Sequence, residues 1–82
     1  MTVYVDDKMM SYGRMKMCHV GADTTEELLE MMDKLKIDRQ HIQFAGTWKE
    51  HFDVSQAKRR QAIALGAKEV TSKELIRILR DK

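Results

Sequence analysis

Residues 55–79, SQAKRRQAIALGAKEVTSKELIRIL, predict a helix, a brief strand and a second helix in direct succession. The first of these helices begins at Ser55 and ends before Gly66, because glycine readily adopts the left-handed conformation found just past helix C-termini. Residues 68–70 form the strand, and residues 71–74, Thr-Ser-Lys-Glu, are a capping box that begins the terminal helix. This order is typical of α/β domains, in which such crossover connections are right-handed.

The same alternation continues toward the N-terminus. Residues 24–27, Thr-Thr-Glu-Glu, form another capping box. The apolar residues that follow recur at helical spacing: Leu28, Leu29, Met31, Met32 and Leu35. Three further strands are predicted at residues 2–5, 15–20 and 42–45. Residues 8–14 and 47–50 are predicted to be loops. The predicted fold class is therefore α/β, with the order β-β-α-β-α-β-α and a mixed, partly parallel sheet flanked by three helices.

Length and composition predict one soluble globular domain over residues 1–82. The chain is 43% hydrophobic and 34% charged, which argues against disorder. Its longest apolar runs are far shorter than a membrane span or a signal-peptide core. The single cysteine, Cys18, cannot form an internal disulfide, so we expect a buried, inert thiol and a cytoplasmic protein.

Charge is distributed unevenly along the chain. Residues 1–53 carry seven Lys and Arg against ten Asp and Glu, whereas residues 54–82 carry eight against three. A basic C-terminal part can attract phosphate groups, but the net charge of +2 is far below that of a dedicated DNA-binding protein.

Carboxylates and a histidine stand at or beside the predicted strands of the N-terminal half. Asp6 and Asp7 end the first strand, where two acids can hold a divalent cation or supply a base. Solvated acids at a strand end or in a turn are the alternative. His19 shares a strand face with Met15 and Met17, so it is either a ligand or a histidine packed at the edge of the core.

A second histidine forms an H-x-D pair, His51 and Asp53. In an extended segment, residues two apart point to the same side, so imidazole and carboxylate can converge on one ligand. Alternatively, Asp53 and Gln56 form a capping box for the helix that follows. His41 lies in a polar connection and is predicted to be exposed.

Lys58, Arg59 and Arg60 occupy the first turns of the predicted second helix. Cations there oppose the helix dipole, so they favour an anionic neighbour, and the free amides of a helix N-terminus also bind phosphate. A solvated helix face is the alternative. The sequence contains none of the common glycine-rich phosphate loops or hydrolase motifs, and one thiol argues against a structural zinc site.

Four blocks in fixed order resemble a family of small bacterial and bacteriophage proteins known only as a domain of unknown function. They are YVDD at residues 4–7, HxxADT at 19–24, HFDVSxxKR at 51–59 and AIALGA at 62–67. The resemblance implies a cytosolic bacterial or phage protein. It also implies a recurring polar set of Tyr4, Asp6, Asp7, His19, Asp23, His51, Asp53, Lys58 and Arg59, with Gln43 matching as well. The sequence differs from the family at three aromatic positions. Phe52 stands where a tyrosine is common, and Met17 and His41 stand where a tryptophan is common.

Two classes of function fit these features. In the first, a polar site binds a phosphate-bearing ligand, either a nucleotide or a nucleic-acid end, with a divalent metal and hydrolysis. Asp6, Asp7 and Asp53 would hold the metal or act as base, and His19 and His51 would be ligands or acid–base groups. Lys58 and Arg59 would neutralise phosphate. Tyr4, Asp23 and Gln43 complete the predicted ligand-binding set.

In the second, the domain is a non-catalytic binding module. A nucleic-acid surface would use Trp48 for stacking together with five cations: Lys58, Arg59, Arg60, Arg77 and Arg80. A phage-type protein would instead bind a host protein through exposed methionine and tryptophan side chains. An enzyme needs its acids and histidines close together, whereas a binding module does not.

Overall fold

The computed structural model describes residues 2–82, except for the side chain of Tyr12. Five strands form one mixed sheet with three α-helices and one short 3-10 helix. The strands are β1 (Val3–Val5), β2 (Met10–Tyr12), β3 (Met15–Ala22), β4 (Phe52–Ser55) and β5 (Lys68–Glu69). The α-helices are α1 (Thr25–Lys34), α2 (Gln56–Ala64) and α3 (Ser72–Asp81), and the 3-10 helix spans Arg39–His41. The predicted α/β class, mixed sheet and three helices are confirmed.

Strand β3 is the centre of the sheet. Val20 pairs with Val5 of β1 and also with Phe52 of β4, so these two strands lie on opposite edges of β3. The hairpin strand β2 pairs with the first half of β3, on the same edge as β1. β5 lies beyond β1 and runs parallel to it, which is the parallel part of the sheet.

Two of the predicted strand and loop assignments are wrong. Residues 42–45 do not form a strand: Gln43 makes a single bridge to His51, and Phe44 takes a left-handed φ of 54° that ends the extended conformation. The strand is Phe52–Ser55, within the segment that the sequence marked only as extended. Residues 8–14 are not a plain loop, because Met10–Tyr12 pairs with β3 across a turn at Gly13.

The helix boundaries follow the predicted caps. The hydroxyls of Thr24, Ser55 and Thr71 accept the backbone amides of the third helical residues of α1, α2 and α3. Gly66 has a φ of 104°, as predicted for the residue that ends α2. Ser55, and not Asp53, caps α2, so the predicted Asp53–Gln56 capping box is wrong and the Asp53 carboxylate is used elsewhere.

The two faces of the sheet are covered differently. On one face, the side chains of Val5, Val20 and Phe52 pack with Leu28 and Met32 of α1, and Ala62 of α2 joins the same buried cluster. On the other face, Leu75 and Leu79 of α3 pack with Tyr4 and lie against Gly21, where an added Cβ would stand 3.0 Å from Leu79 Cδ2. This close approach seats α3 over one end of the sheet.

Candidate functional site

A cluster of two imidazoles and one carboxylate lies on the α3 face of the sheet. The β3–β4 register places His19 directly opposite Asp53, so their side chains project from the same face. His51 precedes Asp53 by two residues and joins it on that side, as the H-x-D spacing predicted. One ligand atom from each of the three residues lies within 4.8 Å of the other two.

The ring nitrogens of both histidines face the same carboxylate oxygen. Asp53 Oδ1 lies 3.8 Å from His19 Nε2 and 3.5 Å from His51 Nε2. The two rings meet edge to face, with centroids 5.0 Å apart. The side chains of His19, His51 and Asp53 are 26%, 15% and 12% exposed, so the cluster is partly covered and lies close to the protein surface.

Each member of the cluster is held from its far side by another group. Asp6 Oδ2 accepts a hydrogen bond of 2.6 Å from His19 Nδ1, and the Lys49 carbonyl accepts one of 2.6 Å from His51 Nδ1. Because these acceptors carry no hydrogen, both Nδ1 atoms are protonated, and the Nε2 atom of each ring is the nitrogen that faces Asp53. The Gln43 amide donates to Asp53 Oδ2 at 2.6 Å.

The Asp6 carboxylate is fully buried and positions His19. Its Oδ1 accepts the backbone amides of His19 at 2.8 Å and Lys8 at 3.2 Å. Burial by itself raises the pKa of Asp6, but the hydrogen bonds from the His19 ring and amide outweigh it and lower the pKa. The same ring hydrogen bond raises the pKa of His19 above its usual value, against the opposing effect of burial.

A partly open groove of about 340 Å³ adjoins the histidines. His19 and His51 line it on one side, and Leu75, Ile76 and Leu79 of α3 line it too. The remaining lining side chains include two exposed aromatic rings and two lysines, namely Phe44, Trp48, Lys8 and Lys49. Asp53 instead borders a second groove of about 450 Å³, so the cluster lies between the two.

Four of the predicted site residues are engaged away from the cluster. Tyr4 Oη donates to Asp23 Oδ1 at 3.0 Å, which ties β1 to the end of β3. The Lys58 ammonium donates to the Leu35 carbonyl at 2.7 Å, at the C-terminus of α1. Arg59 Nε donates to the Asp6 carbonyl at 2.9 Å, and its Nη2 contacts Glu69 at 3.2 Å. The structure therefore gives Lys58 and Arg59 protein partners, and their predicted role toward phosphate stays a prediction.

Asp7 and the other basic residues are also separated from the histidines. Asp7 is exposed, and its Oδ1 accepts the Ser72 amide at 3.1 Å in the first turn of α3. Helices α2 and α3 pack against opposite faces of the sheet. Arg60 on α2 and Arg77 and Arg80 on α3 are exposed on these separate helices, so the five cations do not form one continuous surface.

Local sequence patterns did not reveal the segment that forms the groove wall. They placed Phe44 in a strand and Trp48 in a surface loop, with Trp48 as a stacking residue only of a nucleic-acid surface, and they indicated no role for Lys49. Glu50 was assigned to the same surface loop but is only 4% exposed, and its carboxylate accepts the Thr25 hydroxyl at 2.6 Å and the Gly46 amide at 3.1 Å. The available signal was two aromatic residues and a lysine within the seven residues that precede the H-x-D pair.

A protein-family model described as a protein of unknown function, DUF4031, matches residues 3–82. The chain belongs to this family. The family assignment confirms that the chain contains a domain of unknown function and names no reaction or ligand. No curated protein and no solved structure matches the chain.

Within residues 2–82, none of the helices has the length and apolar character needed to cross a bilayer.

Proposed function

We propose that this DUF4031 domain binds a divalent transition-metal ion through His19 Nε2, His51 Nε2 and Asp53 Oδ1, and that the ion acts on a phosphate-bearing ligand. The observation that carries the proposal is that one ligand atom from each of these three residues lies within 4.8 Å of the other two, with Asp53 Oδ1 3.8 Å from His19 Nε2 and 3.5 Å from His51 Nε2. Two imidazoles and one carboxylate are a common ligand set for catalytic zinc and for non-haem iron.

Electrostatics favours a cation between these groups. When both Nε2 atoms are unprotonated, their lone pairs and the Asp53 carboxylate all carry negative charge density and face one another. A bound cation would turn this mutual repulsion into attraction. A proton on one Nε2 would relieve only the contact between that nitrogen and Asp53, whereas a metal ion would use all three atoms.

The hydrogen bonds behind the cluster are those that tune metal ligands in proteins. A histidine that binds a metal usually donates its other N–H to a carboxylate or a carbonyl, which fixes the tautomer and makes the free nitrogen more basic. His19 does so with Asp6, and His51 does so with the Lys49 carbonyl. Asp6 therefore acts as a positioning residue for His19.

The donor set also selects the class of metal. Imidazole nitrogens suit zinc, iron, cobalt and nickel, whereas magnesium and calcium prefer oxygen ligands alone. Three protein ligands leave at least one coordination position on zinc for water or a ligand oxygen. Lys8 and Lys49 line the groove next to the histidines, where their charge would attract a phosphate.

The reaction that this arrangement supports is hydrolysis of a phosphate ester. The bound ion would supply a water of lowered pKa. The water oxygen would form a bond to phosphorus as the ester P–O bond breaks. One water proton would go to the departing alcohol oxygen, and the other would stay on the phosphate. Lys8 and Lys49 would offset the charge of the phosphoryl oxygens during this step.

Calorimetric titration of the metal-free protein with zinc, manganese and magnesium tests the metal site. We expect one zinc per chain, and weaker or no binding of magnesium. His51→Ala and Asp53→Asn should each reduce zinc affinity at least tenfold, as removing a ligand does. His41→Ala is the matched control, because His41 is exposed and outside the cluster, and it should leave the affinity unchanged. Zinc binding that is the same in all four proteins would overturn the proposal.

Hydrolysis is tested separately, with p-nitrophenyl phosphate and the metal-loaded protein. We expect release of p-nitrophenol that requires the metal and is lost in His51→Ala. A protein that binds zinc in one equivalent yet releases no product from this or other phosphate esters would retain the metal site and exclude the hydrolytic role.

The cellular location and the biological origin of the protein are also part of this proposal. We propose a cytoplasmic protein of bacterial or phage origin: the four sequence blocks that resemble small bacterial and bacteriophage proteins support the origin, and the buried single thiol supports the location. Sequencing the genomic neighbourhood of the gene and fractionating the source cells would test both statements.

A further inference from the structure

Two aromatic side chains, Phe44 and Trp48, form one wall of the groove next to the histidines. Packing within the fold does not explain their exposure or the backbone strain at Phe44. Phe44 and Trp48 are 58% and 42% exposed, although aromatic side chains gain most by burial. Phe44 also holds a φ of 54°, in the left-handed region that bulky residues rarely occupy. Backbone strain of this kind persists where the surroundings enforce it, and it is enriched at ligand sites.

The orientation of these rings suits a planar ligand. The Phe44 ring lies nearly parallel to the His51 ring, with an interplanar angle of 26° and centroids 5.9 Å apart. The Lys49 ammonium lies 5.8 Å from the Phe44 centroid and 5.5 Å from the Trp48 centroid. A positive charge is therefore held near both exposed aromatic side chains, one residue from Trp48 and two from His51.

The rest of the groove complements the aromatic wall. Ile76, 53% exposed, lines the groove with Leu75 and Leu79 from α3, and apolar side chains are the usual packing partners of a base. The volume of about 340 Å³ falls in the range of small-ligand sites. One groove thus offers stacking surfaces, an apolar wall, two ammonium groups and the histidines of the metal cluster.

We infer that this groove binds a nucleoside phosphate, with its base stacked on Phe44 and Trp48. The phosphate then reaches Lys49, Lys8 and the metal cluster. The contact between phosphate and metal rests on the function proposed above, whereas the stacking of the base does not. A sugar phosphate without a base would leave both rings exposed, so the aromatic wall is the feature that sets the ligand class.

Trp48 is the only tryptophan of the chain, so its fluorescence reports on the groove directly. The zinc-loaded protein is titrated with AMP, adenosine and ribose 5-phosphate, and affinities are checked by calorimetry. We expect AMP to quench Trp48 and to bind at least about tenfold more tightly than ribose 5-phosphate, the effect of one stacked base. The same titration with a six-nucleotide single strand that carries a terminal phosphate shows whether the groove takes a free nucleotide or the end of a nucleic acid.

The variant Phe44→Gly separates a stacking role from a structural one. Glycine removes the ring and adopts the left-handed φ without strain, so we expect an unchanged or higher Tm. We also expect AMP to bind no more tightly than ribose 5-phosphate. Binding of ribose 5-phosphate and of zinc should stay as in the unmodified protein. Leu65→Ala, which removes an exposed apolar side chain outside the groove, is the matched control and should change none of these affinities.

Two results would overturn the inference: equal affinity for AMP and ribose 5-phosphate, or an AMP advantage that survives Phe44→Gly. Either result, obtained with zinc bound at one equivalent, leaves the metal site standing. Conversely, Trp48 quenching by AMP in a protein that binds no zinc would support the stacking site and overturn the proposed metal site.

Discussion

The two faces of the central strand β3 differ in what covers them. Cys18 and Val20 point to the face covered by α1 and α2, where both are fully buried. His19, between them, points to the opposite face and is partly exposed. Gly21 belongs to that face too, but lies beneath α3. One face is closed along the strand, whereas the other is covered at one end only.

This difference shows how a small domain can combine a stable core with a polar site. The closed face supplies the apolar burial that stabilises the fold. The other face can then carry two histidines and an aspartate, at positions where apolar side chains would otherwise be needed. Residues 51–53 show the same division, because Phe52 is fully buried while His51 and Asp53 belong to the cluster.

The largest expected effect comes from removing a side chain on the closed face. Phe52→Ala should lower the free energy of unfolding by about 3–5 kcal/mol, because it leaves a cavity in the core. The neighbouring substitution His51→Ala, on the open face, should cost about 1 kcal/mol in the metal-free protein, through one lost hydrogen bond. Urea denaturation of both variants measures the contrast, and equal losses would show that the two faces contribute alike.

Metal binding should stabilise the protein only through the cluster of His19, His51 and Asp53, which lies on the face that α3 covers at one end. With free zinc a hundredfold above its dissociation constant, the free energy of unfolding should rise by about 2.7 kcal/mol. Urea denaturation with zinc and after addition of EDTA measures this difference. At the same zinc concentration, His51→Ala should reduce the rise to about 1.4 kcal/mol or less, because its affinity is at least tenfold lower. An equal rise in that variant would mean that zinc binds elsewhere.

A smaller effect is expected from Asp6, which contacts the cluster only through His19. In Asp6→Asn, the new amide group can donate to His19 Nδ1, so the ring proton would move to Nε2 and occupy the metal-binding atom. We expect zinc affinity to fall about 10–100-fold while the protein stays folded. Titration calorimetry and circular dichroism measure the two properties.

The control for this variant is Asp33→Asn, which neutralises an exposed carboxylate on α1 that pairs with Arg39. It should leave zinc affinity unchanged. If both variants weakened zinc binding equally, the effect of Asp6 would be one of net charge and not of the His19 tautomer.

The smallest effect is expected at Cys18, on the closed face. Burial raises the pKa of its thiol to about 11, so almost none of it is thiolate at neutral pH. The native protein should therefore not react with the thiol reagent DTNB, and reaction should appear only on unfolding in urea. Rapid reaction of the native protein would show that the closed face opens easily.

Local signals in the sequence were sufficient for the helices. Thr24 and Thr71 cap α1 and α3 as predicted, and α2 begins beside Ser55 as predicted, although Ser55 and not Asp53 is its cap. These signals are local, because a hydroxyl that accepts a nearby amide depends only on residues three positions away. The same holds for His51 and Asp53, whose spacing alone placed them on one side. Strand positions were less predictable. The apolar run at 42–45 has strand propensity, but the left-handed Phe44 prevents it from continuing as one.

The sequence by itself determined the α/β class, the capped helices and the H-x-D pair, since each depends on contacts between residues close along the chain. Tertiary structure alone decided that His19 faces Asp53, that Asp6 holds His19, and that Lys58 and Arg59 bond to carbonyl groups of the protein. These contacts join residues 13 to 53 positions apart. They follow from strand register and helix packing, which cannot be deduced from local sequence patterns because several pairings of the strands satisfy the same alternation of polar and apolar residues.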